Sequence, residues 1–226
     1  VTGTVLVTGG SSGLGAAVVA VVADAGGRPL VLDRRAPQRG VPHLLVDLAD
    51  GRAAEQAVGR LAEEAGGLDG VVTAAGIDSC GRLAEVPAAD WERVIAVNLL
   101  GTAAVVRAAL PYLTRSAGRV VTVSSTLGLR ALSDATAYCA SKFGVIGFTR
   151  ALAAETAGQV GVTLLVPGGM RTAFFDDRTE QYKPPADAKL NRPEDVARAV
   201  LFALSQPPGC ELRELVITPA VEPSWP

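Results

Sequence analysis

Apolar and polar positions along this chain change period repeatedly. Short runs of aliphatic and β-branched residues alternate with longer stretches in which apolar residues recur every three to four positions. Val5-Leu6-Val7-Thr8 reads as a buried strand and runs through a glycine turn into a helix over 16–25. Pro29 to Leu32 predicts a second strand, Leu44 to Val46 a third and Gly70 to Thr73 a fourth, with a helix over 52–64 that stops at Gly66-Gly67. A helical stretch over 91–106 carries Trp91, Val94, Ile95 and Val97 on its apolar side, and Pro111 and Gly118 bracket its end. Strands over 119–124, 161–166 and 212–217, with helices from near Ala135 and from Pro193, complete the pattern. Strand-loop-helix units in succession predict an α/β open sheet with right-handed crossovers.

No linker, repeat or low-complexity tract divides the 226 residues, so the chain reads as one domain over 1–226. Two stretches stand apart from the alternation. The region from Met170 to Asn191 is irregular and longer than an ordinary connection, which fits an active-site flap over about 170–191. The tail from Pro219 to Pro226, with Trp225 next to last, reads as an extension that packs either on the chain itself or on a partner subunit.

Composition changes this picture only by exclusion. A hydrophobic share of 49 % against 19 % charged residues describes a globular protein. A net charge of -2 with no Arg/Lys stripe excludes a nucleic-acid binder. Cys80, Cys139 and Cys210 have no metal-ligand spacing and leave one over, so a reducing compartment and no metal site are expected. The lone His43 reads as an ordinary residue before the third strand. With no signal peptide or membrane span in the pattern, the expectation is a soluble cytoplasmic protein.

Three features carry candidate chemistry. Gly9, Gly10, Gly13 and Gly15 fall between the first strand and its helix, where small residues and a helix N-terminus suit a pyrophosphate. Asp33 ends the second strand 18 residues beyond Gly15, close to the spacing at which a carboxylate meets an adenosine ribose. It favours NAD, because a 2′-phosphate would be repelled, although Arg34 and Arg35 could hold that phosphate instead. Tyr138 and Lys142 are four apart on one helix face, so an ammonium beside a phenol predicts a lowered phenol pKa and a general base. Asn98 inside an apolar helix needs either a local distortion or a polar task.

Taken together, Thr8-Gly9-Gly10-Ser11-Ser12-Gly13-Leu14-Gly15, Ala74-Ala75-Gly76, Asn98, Ser124-Ser125, Tyr138-Cys139-Ala140-Ser141-Lys142 and Pro167-Gly168-Gly169-Met170-Arg171-Thr172 resemble the motifs of the short-chain dehydrogenase/reductase family, in the same order and across Thr4 to about Pro219. The resemblance implies a Rossmann-like doubly wound parallel sheet in three α/β/α layers and a catalytic tetrad of Asn98, Ser125, Tyr138 and Lys142, with Ser125 preferred to Ser124 because it lies thirteen residues before the tyrosine. Tyr138 is then the proton-transfer group, Ser125 holds the substrate oxygen, Lys142 binds the nicotinamide ribose and lowers the Tyr138 pKa, and Asn98 holds a water. Cofactor contacts implied in the same way are Gly9, Ser11, Ser12, Gly13 and Leu14 at the pyrophosphate, Asp33 and Arg34 at the ribose, and Asp47 and Leu48 at the adenine. Ala74, Ala75 and Gly76 line the cofactor, Pro167, Gly169, Met170 and Thr172 bracket the nicotinamide amide, and Tyr138 and Lys142 serve both ligands.

For the substrate, Ser125, Leu127, Leu132, Tyr138, Gly169, Phe174 and Phe175 are candidates, with Ile77, Ser79 and Tyr182 nearby and Arg130 or Arg171 available for a carboxylate. The expected function is an NAD-dependent oxidoreductase interconverting a secondary alcohol and a ketone. An NADP-dependent 3-hydroxy acid dehydrogenase or 3-oxoacyl reductase is the alternative, though Ser116 and Gln159 stand where carrier-docking relatives present basic residues. A dinucleotide-binding regulatory protein is the non-enzyme alternative, and the family's habit implies a homotetramer or homodimer.

Overall fold

The structure is a computed structural model that describes residues 3–224. Trp225, singled out above, lies outside the described residues. Seven strands form one parallel sheet: β1 (Thr4–Thr8), β2 (Arg28–Asp33), β3 (His43–Leu45), β4 (Gly70–Thr73), β5 (Arg119–Val123), β6 (Gly161–Pro167) and β7 (Glu214–Ile217). Their order is β3-β2-β1-β4-β5-β6-β7, with every neighbouring pair parallel. The chain builds outwards from β1 to β3, returns to the centre, and builds outwards again from β4 to β7. Such a sheet is buried on both faces, which is why its central strands read as unbroken apolar runs: Val5, Leu6, Val7, Val71 and Val72 have no exposed surface.

Helices α1 (Gly13–Asp24) and α6 (Pro193–Leu204) pack together on one face, around a core that includes Val5, Val7, Val18, Val22 and Val200. The other face carries α2 (Gly51–Ala65), α4 (Thr102–Ser116) and α5 (Thr136–Glu155), with Leu6, Leu32, Val58, Val105, Leu113 and Leu152 in its core. The result is the predicted three-layer α/β/α, doubly wound Rossmann-like fold in a single domain. Caps explain where α2 begins and ends. The Asp50 carboxylate accepts the Ala53 N–H at 3.0 Å, and Gly66 takes the left-handed conformation, φ 83°, that stops the helix.

The stretch predicted as one helix over 91–106 is longer and less regular than that. It begins as α3 (Ala88–Ile95), widens into a π turn over Ala96–Gly101, and continues as α4 through Pro111 to Ser116. Pro111 therefore does not end the helix. It sits on the exposed side, where water can serve the carbonyl it leaves unpaired, while Val105, Ala109 and Leu113 hold the other side in the core. By length and composition the run Ala88–Ser116 could cross a membrane, but half of it is buried inside the fold, so its apolar residues serve packing here. The π turn falls on Asn98, the residue that is out of place in an apolar helix.

The sheet opens a crevice where the two windings diverge. β1 and β4 run in register to Thr8 and Thr73, and beyond them the Ala75 N–H donates to Thr8 Oγ1 at 3.1 Å. All the loops bearing candidate residues leave the sheet at this carboxyl edge. The long connection after β6 is closed at its root by a bridge between Met170 and Asn191. Backbone hydrogen bonds of 2.9 Å link Asn191 N to Gly169 O and Arg171 N to Asn191 O. Between those points the connection forms short 3₁₀ turns at Ala173–Phe175 and Glu180–Tyr182.

Candidate active site

A cavity of about 1290 Å³ occupies the crevice, larger than a pocket for one small ligand. One end is built from the turn between β1 and α1. Ser12 makes no side-chain cap, so the first amides of α1 are left for a ligand. Gly9 has φ 70°, and a Cβ there would come within 2.8 Å of the Ala75 backbone. A Cβ on Gly15 would lie 2.1 Å from the Gly9 carbonyl oxygen, so the first turn of α1 closes onto the loop only with glycine. A dinucleotide fits this cradle: the turn is held open by glycines, the helix end is uncapped, and the cavity continues past both ends of a diphosphate.

At the far end of that cradle, Asp33 is already engaged. Its Oδ2 accepts the Ser11 N–H at 2.9 Å and its Oδ1 accepts the Arg35 N–H at 3.1 Å. The carboxylate thereby ties the glycine turn to the end of β2. Ser11 faces away from the cavity: its backbone serves Asp33 and its buried hydroxyl makes no hydrogen bond, so Ser11 is removed from the expected cofactor contacts. Arg34 and Arg35 line the cavity, are exposed, and make no ion pair among the described residues. Asp47 pairs with Arg93 of α3 at 2.6 Å. Burial alone would raise the Asp47 carboxyl, but the Arg93 hydrogen bond, the Ala49 N–H and the Arg93 and Arg34 charges together hold it below its usual range.

The middle of the cavity holds Ser125, Tyr138 and Lys142. Ser124 also borders the cavity, but its hydroxyl is committed to the Lys142 carbonyl, to which it donates at 2.9 Å. Ser125 Oγ accepts the Leu127 N–H at 3.1 Å, which leaves its own proton for the Tyr138 phenol oxygen. Lys142 is 4 % exposed, donates from Nζ to the Val123 carbonyl at 3.0 Å, and lies 5.5 Å from the Tyr138 ring centre. Burial brings Lys142 down to about 8, opposed by the Asp78 charge. Tyr138 does not show the lowered phenol pKa expected from its lysine neighbour. Desolvation pushes the phenol well up, the Ser125 hydrogen bond pulls it down, and Asp78 adds to the rise.

Asn98 lies behind this group with no exposed surface and does not line the cavity. Its Oδ1 accepts the Ile77 N–H at 2.8 Å, while Nδ2 donates to the Ile77 carbonyl at 2.8 Å and to Ser141 Oγ at 3.0 Å. Both polar atoms of its side chain are committed to the protein. They fix the strand-end loop after β4 against α5, and so set where Gly76 and Lys142 meet.

The substrate end is walled by Leu127, Leu132, Phe174 and Phe175, with Ile77, Ser79 and Tyr182 also facing it. Phe174 packs tilted on Tyr138 at 5.7 Å between ring centres and edge-on to Phe175 at 5.5 Å. Arg178 stacks over both phenylalanines at 5.2 and 4.7 Å and pairs with the buried Asp78 at 2.6 Å. Arg130 and Arg171, offered for a carboxylate, do not line the cavity; Arg130 donates to the Pro223 carbonyl instead. Cys80 does line it, but burial and then Asp78 raise its thiol to about 12, so it stays a thiol. Among the described residues no cluster of three or more His, Cys, Asp or Glu is placed to hold a metal ion.

Residues 3–183 match the short chain dehydrogenase family. The chain belongs to the short-chain dehydrogenase family. This dehydrogenase is 33 % identical to the glycine betaine reductase ATRR of Emericella nidulans over 96 % of its own length, but it spans only 19 % of that protein. Among solved structures it resembles a short chain dehydrogenase from Burkholderia cenocepacia in complex with NADP, at 27 % identity and a TM-score of 0.85, covering 96 % of each chain. It also resembles a single-residue variant of the actinorhodin polyketide ketoreductase with NADPH, at 25 % identity and a TM-score of 0.84, covering 95 % of each chain. The dehydrogenase is a dinucleotide-dependent oxidoreductase with a Tyr/Lys-type catalytic motif.

These relatives correct the expectation of NAD, because both structures carry NADP or NADPH. The physical reason for the error is local to β2. Asp33 reads in sequence as a free ribose acceptor, yet in the fold both of its oxygens serve backbone amides. Charged residues that the motifs do not mark also line the cavity: Asp78, Arg93, Arg178 and Glu222 come from four separate segments, and no local spacing links them. Only Asp78 carried a signal, two residues past the small-residue loop end at Gly76.

Proposed function

We propose that this dehydrogenase reduces a ketone to a secondary alcohol with NADP(H), and that its substrates belong to the 3-oxoacyl and 3-hydroxy acid class. The observation that carries the reading is the trio of Ser125, Tyr138 and the buried Lys142, in one cavity with Arg34 and Arg35, which make no ion pair among the described residues, just beyond the end of β2. Arg34 and Arg35 would hold the 2′-phosphate, the turn from Gly9 to Leu14 the diphosphate, and Lys142 with Ala75, Gly76 and Gly169 the nicotinamide end. When bound, the reduced nicotinamide supplies hydride to the carbonyl carbon. Cofactor class and substrate class are both supported by the likeness to the NADPH-bound polyketide ketoreductase.

The side chains account for the rest. A phenol pushed up by desolvation is protonated at neutral pH, so Tyr138 Oη is poised to give its proton to the carbonyl oxygen. Ser125 Oγ, with Leu127 N–H on one lone pair, would turn its one proton from the Tyr138 oxygen to that carbonyl oxygen when the ketone enters, meeting the charge as it develops. Lys142, charged below about pH 8, steadies the phenolate that remains. The apolar wall of Leu127, Leu132, Phe174 and Phe175 keeps water from competing for the proton.

The test is a paired titration. Replacing Arg34 and Arg35 together by Ser should weaken NADPH binding about 10- to 100-fold, the loss of one charge-assisted contact of ~1.5–3 kcal/mol. Intrinsic fluorescence or calorimetry reads the change, and steady-state reduction of 3-oxo esters by NADPH reads the activity. NADPH affinity left unchanged by the double substitution would overturn the cofactor assignment.

A further inference from the structure

The segment that follows β7 is built into the wall of the cavity. Glu222 is half-buried there, and its Oε2 accepts the Gly169 N–H at 2.9 Å. Its Oε1 accepts both the Ser224 N–H at 3.1 Å and the Ser224 hydroxyl at 2.6 Å. With its one proton given to Glu222, Ser224 Oγ must accept from Thr126 Oγ1, 2.6 Å away. Arg130 completes the attachment by donating to the Pro223 carbonyl at 3.1 Å. A Cβ on Gly168 would lie 2.2 Å from Glu222 Oε2, so the carboxylate rests directly on the backbone of Gly168-Gly169.

One carboxylate therefore joins the loop after β6 to the loop after β5, and Thr126 in that second loop adjoins Ser125. Immediately before it, Val221 lines the cavity with 70 % of its surface exposed, an apolar side chain held out towards a ligand. The geometry points to Glu222 as a positioning residue that makes 221–224 a wall of the substrate end and so sets the size of ketone admitted. The inference rests on the ketoreductase reading above.

The experiment compares the whole chain with E222A and E222Q, using NADPH and two 3-oxo esters, one short and one carrying a bulky extension. E222A should raise KM for the short ester about tenfold, the equivalent of one charged hydrogen bond, with kcat little changed. Its preference for short over bulky ester should fall by about the same factor, and E222Q, which keeps one accepting oxygen, should recover part of it. A preference in E222A equal to that of the wild type, or a fall in kcat at constant KM, overturns the proposal. Amide hydrogen exchange at Gly169 is read in parallel and should quicken in E222A, whether or not the protein turns over. If the wild type reduces no ketone with NADPH while E222A still quickens Gly169 exchange, the ketoreductase reading fails and the wall stands. Unchanged exchange at Gly169 refutes the wall itself.

Discussion

Lys142 places an ammonium group where water barely reaches, and the fold bears the cost of that charge. Only 4 % of the residue is exposed, and its one protein acceptor is the Val123 carbonyl. Bringing the group from 10.5 to about 8 corresponds to roughly 3 kcal/mol at 1.36 kcal/mol per pH unit. The sign follows from the depressed value. Below about pH 8 the folded protein carries the full cost. From there to about 10.5 the unfolded chain binds the extra proton, so stability rises with pH and the cost is gone above that window. Lys142→Met removes the charge and fills similar volume, but leaves the Val123 carbonyl unpaired, a penalty of about 1–3 kcal/mol. The net expectation at pH 7 is a gain of roughly 0–2 kcal/mol, or up to about 8 °C in Tm for a chain of this size. Urea and thermal unfolding at pH 7 and at pH 10, at fixed protein concentration and without added dinucleotide, measure it. The advantage of the variant should shrink at pH 10, and ketone reduction should be lost at every pH. A variant less stable than the wild type at pH 7, or one whose advantage does not change with pH, would refute the reasoning.

Two further substitutions test the site and its frame. Tyr138→Phe removes the proton donor but keeps the ring against Phe174, so reduction should fall about 10²–10⁴-fold while NADPH binding by fluorescence titration stays within a few-fold. Retained turnover would remove Tyr138 from its role. Gly15→Ala drives a methyl group against the Gly9 carbonyl oxygen, and the overpacking should cost about 1–3 kcal/mol in urea unfolding together with a marked loss of dinucleotide affinity. A variant of wild-type stability and affinity would show that the turn can open without consequence.

Much of the architecture was legible in the chain because burial on both faces of a parallel sheet leaves a local mark. The runs 5–8, 29–32 and 70–73 are apolar because they lie between two helical layers, and the alternation with 3.6-residue periodicity is visible without any partner. Tertiary packing supplied what local preference left open. Pro111 and Gly118 bracket the end of the helix as read, and the apolar face of α4 carries it past Pro111 to Ser116. Asn98 looked out of place in a helix, and only the fold shows that a π turn puts its amide on Ile77 and Ser141.

The site divides in the same way. Residues held by a short motif, such as the turn from Gly9 to Gly15 and the pair Tyr138 and Lys142, were legible because helix and turn geometry fixes their relation within a few residues. Asp33 misled because a carboxylate's partners are chosen in space: the Ser11 amide that occupies it is 22 residues away. The Asp78–Arg178 pair spans 100 residues and the Glu222–Gly169 contact 53, distances at which no sequence pattern records a meeting. The sequence by itself determined the alternation of layers, the carboxyl-edge crevice and the meeting of Tyr138 with Lys142 on one helix face, since each follows from periodicity or from spacing inside one element. The tertiary structure alone decided which charges line the cavity without an ion pair among the described residues, how burial sets Tyr138 and Lys142, and which distant segments meet at the cavity wall, because those depend on desolvation and on contacts between distant parts of the chain.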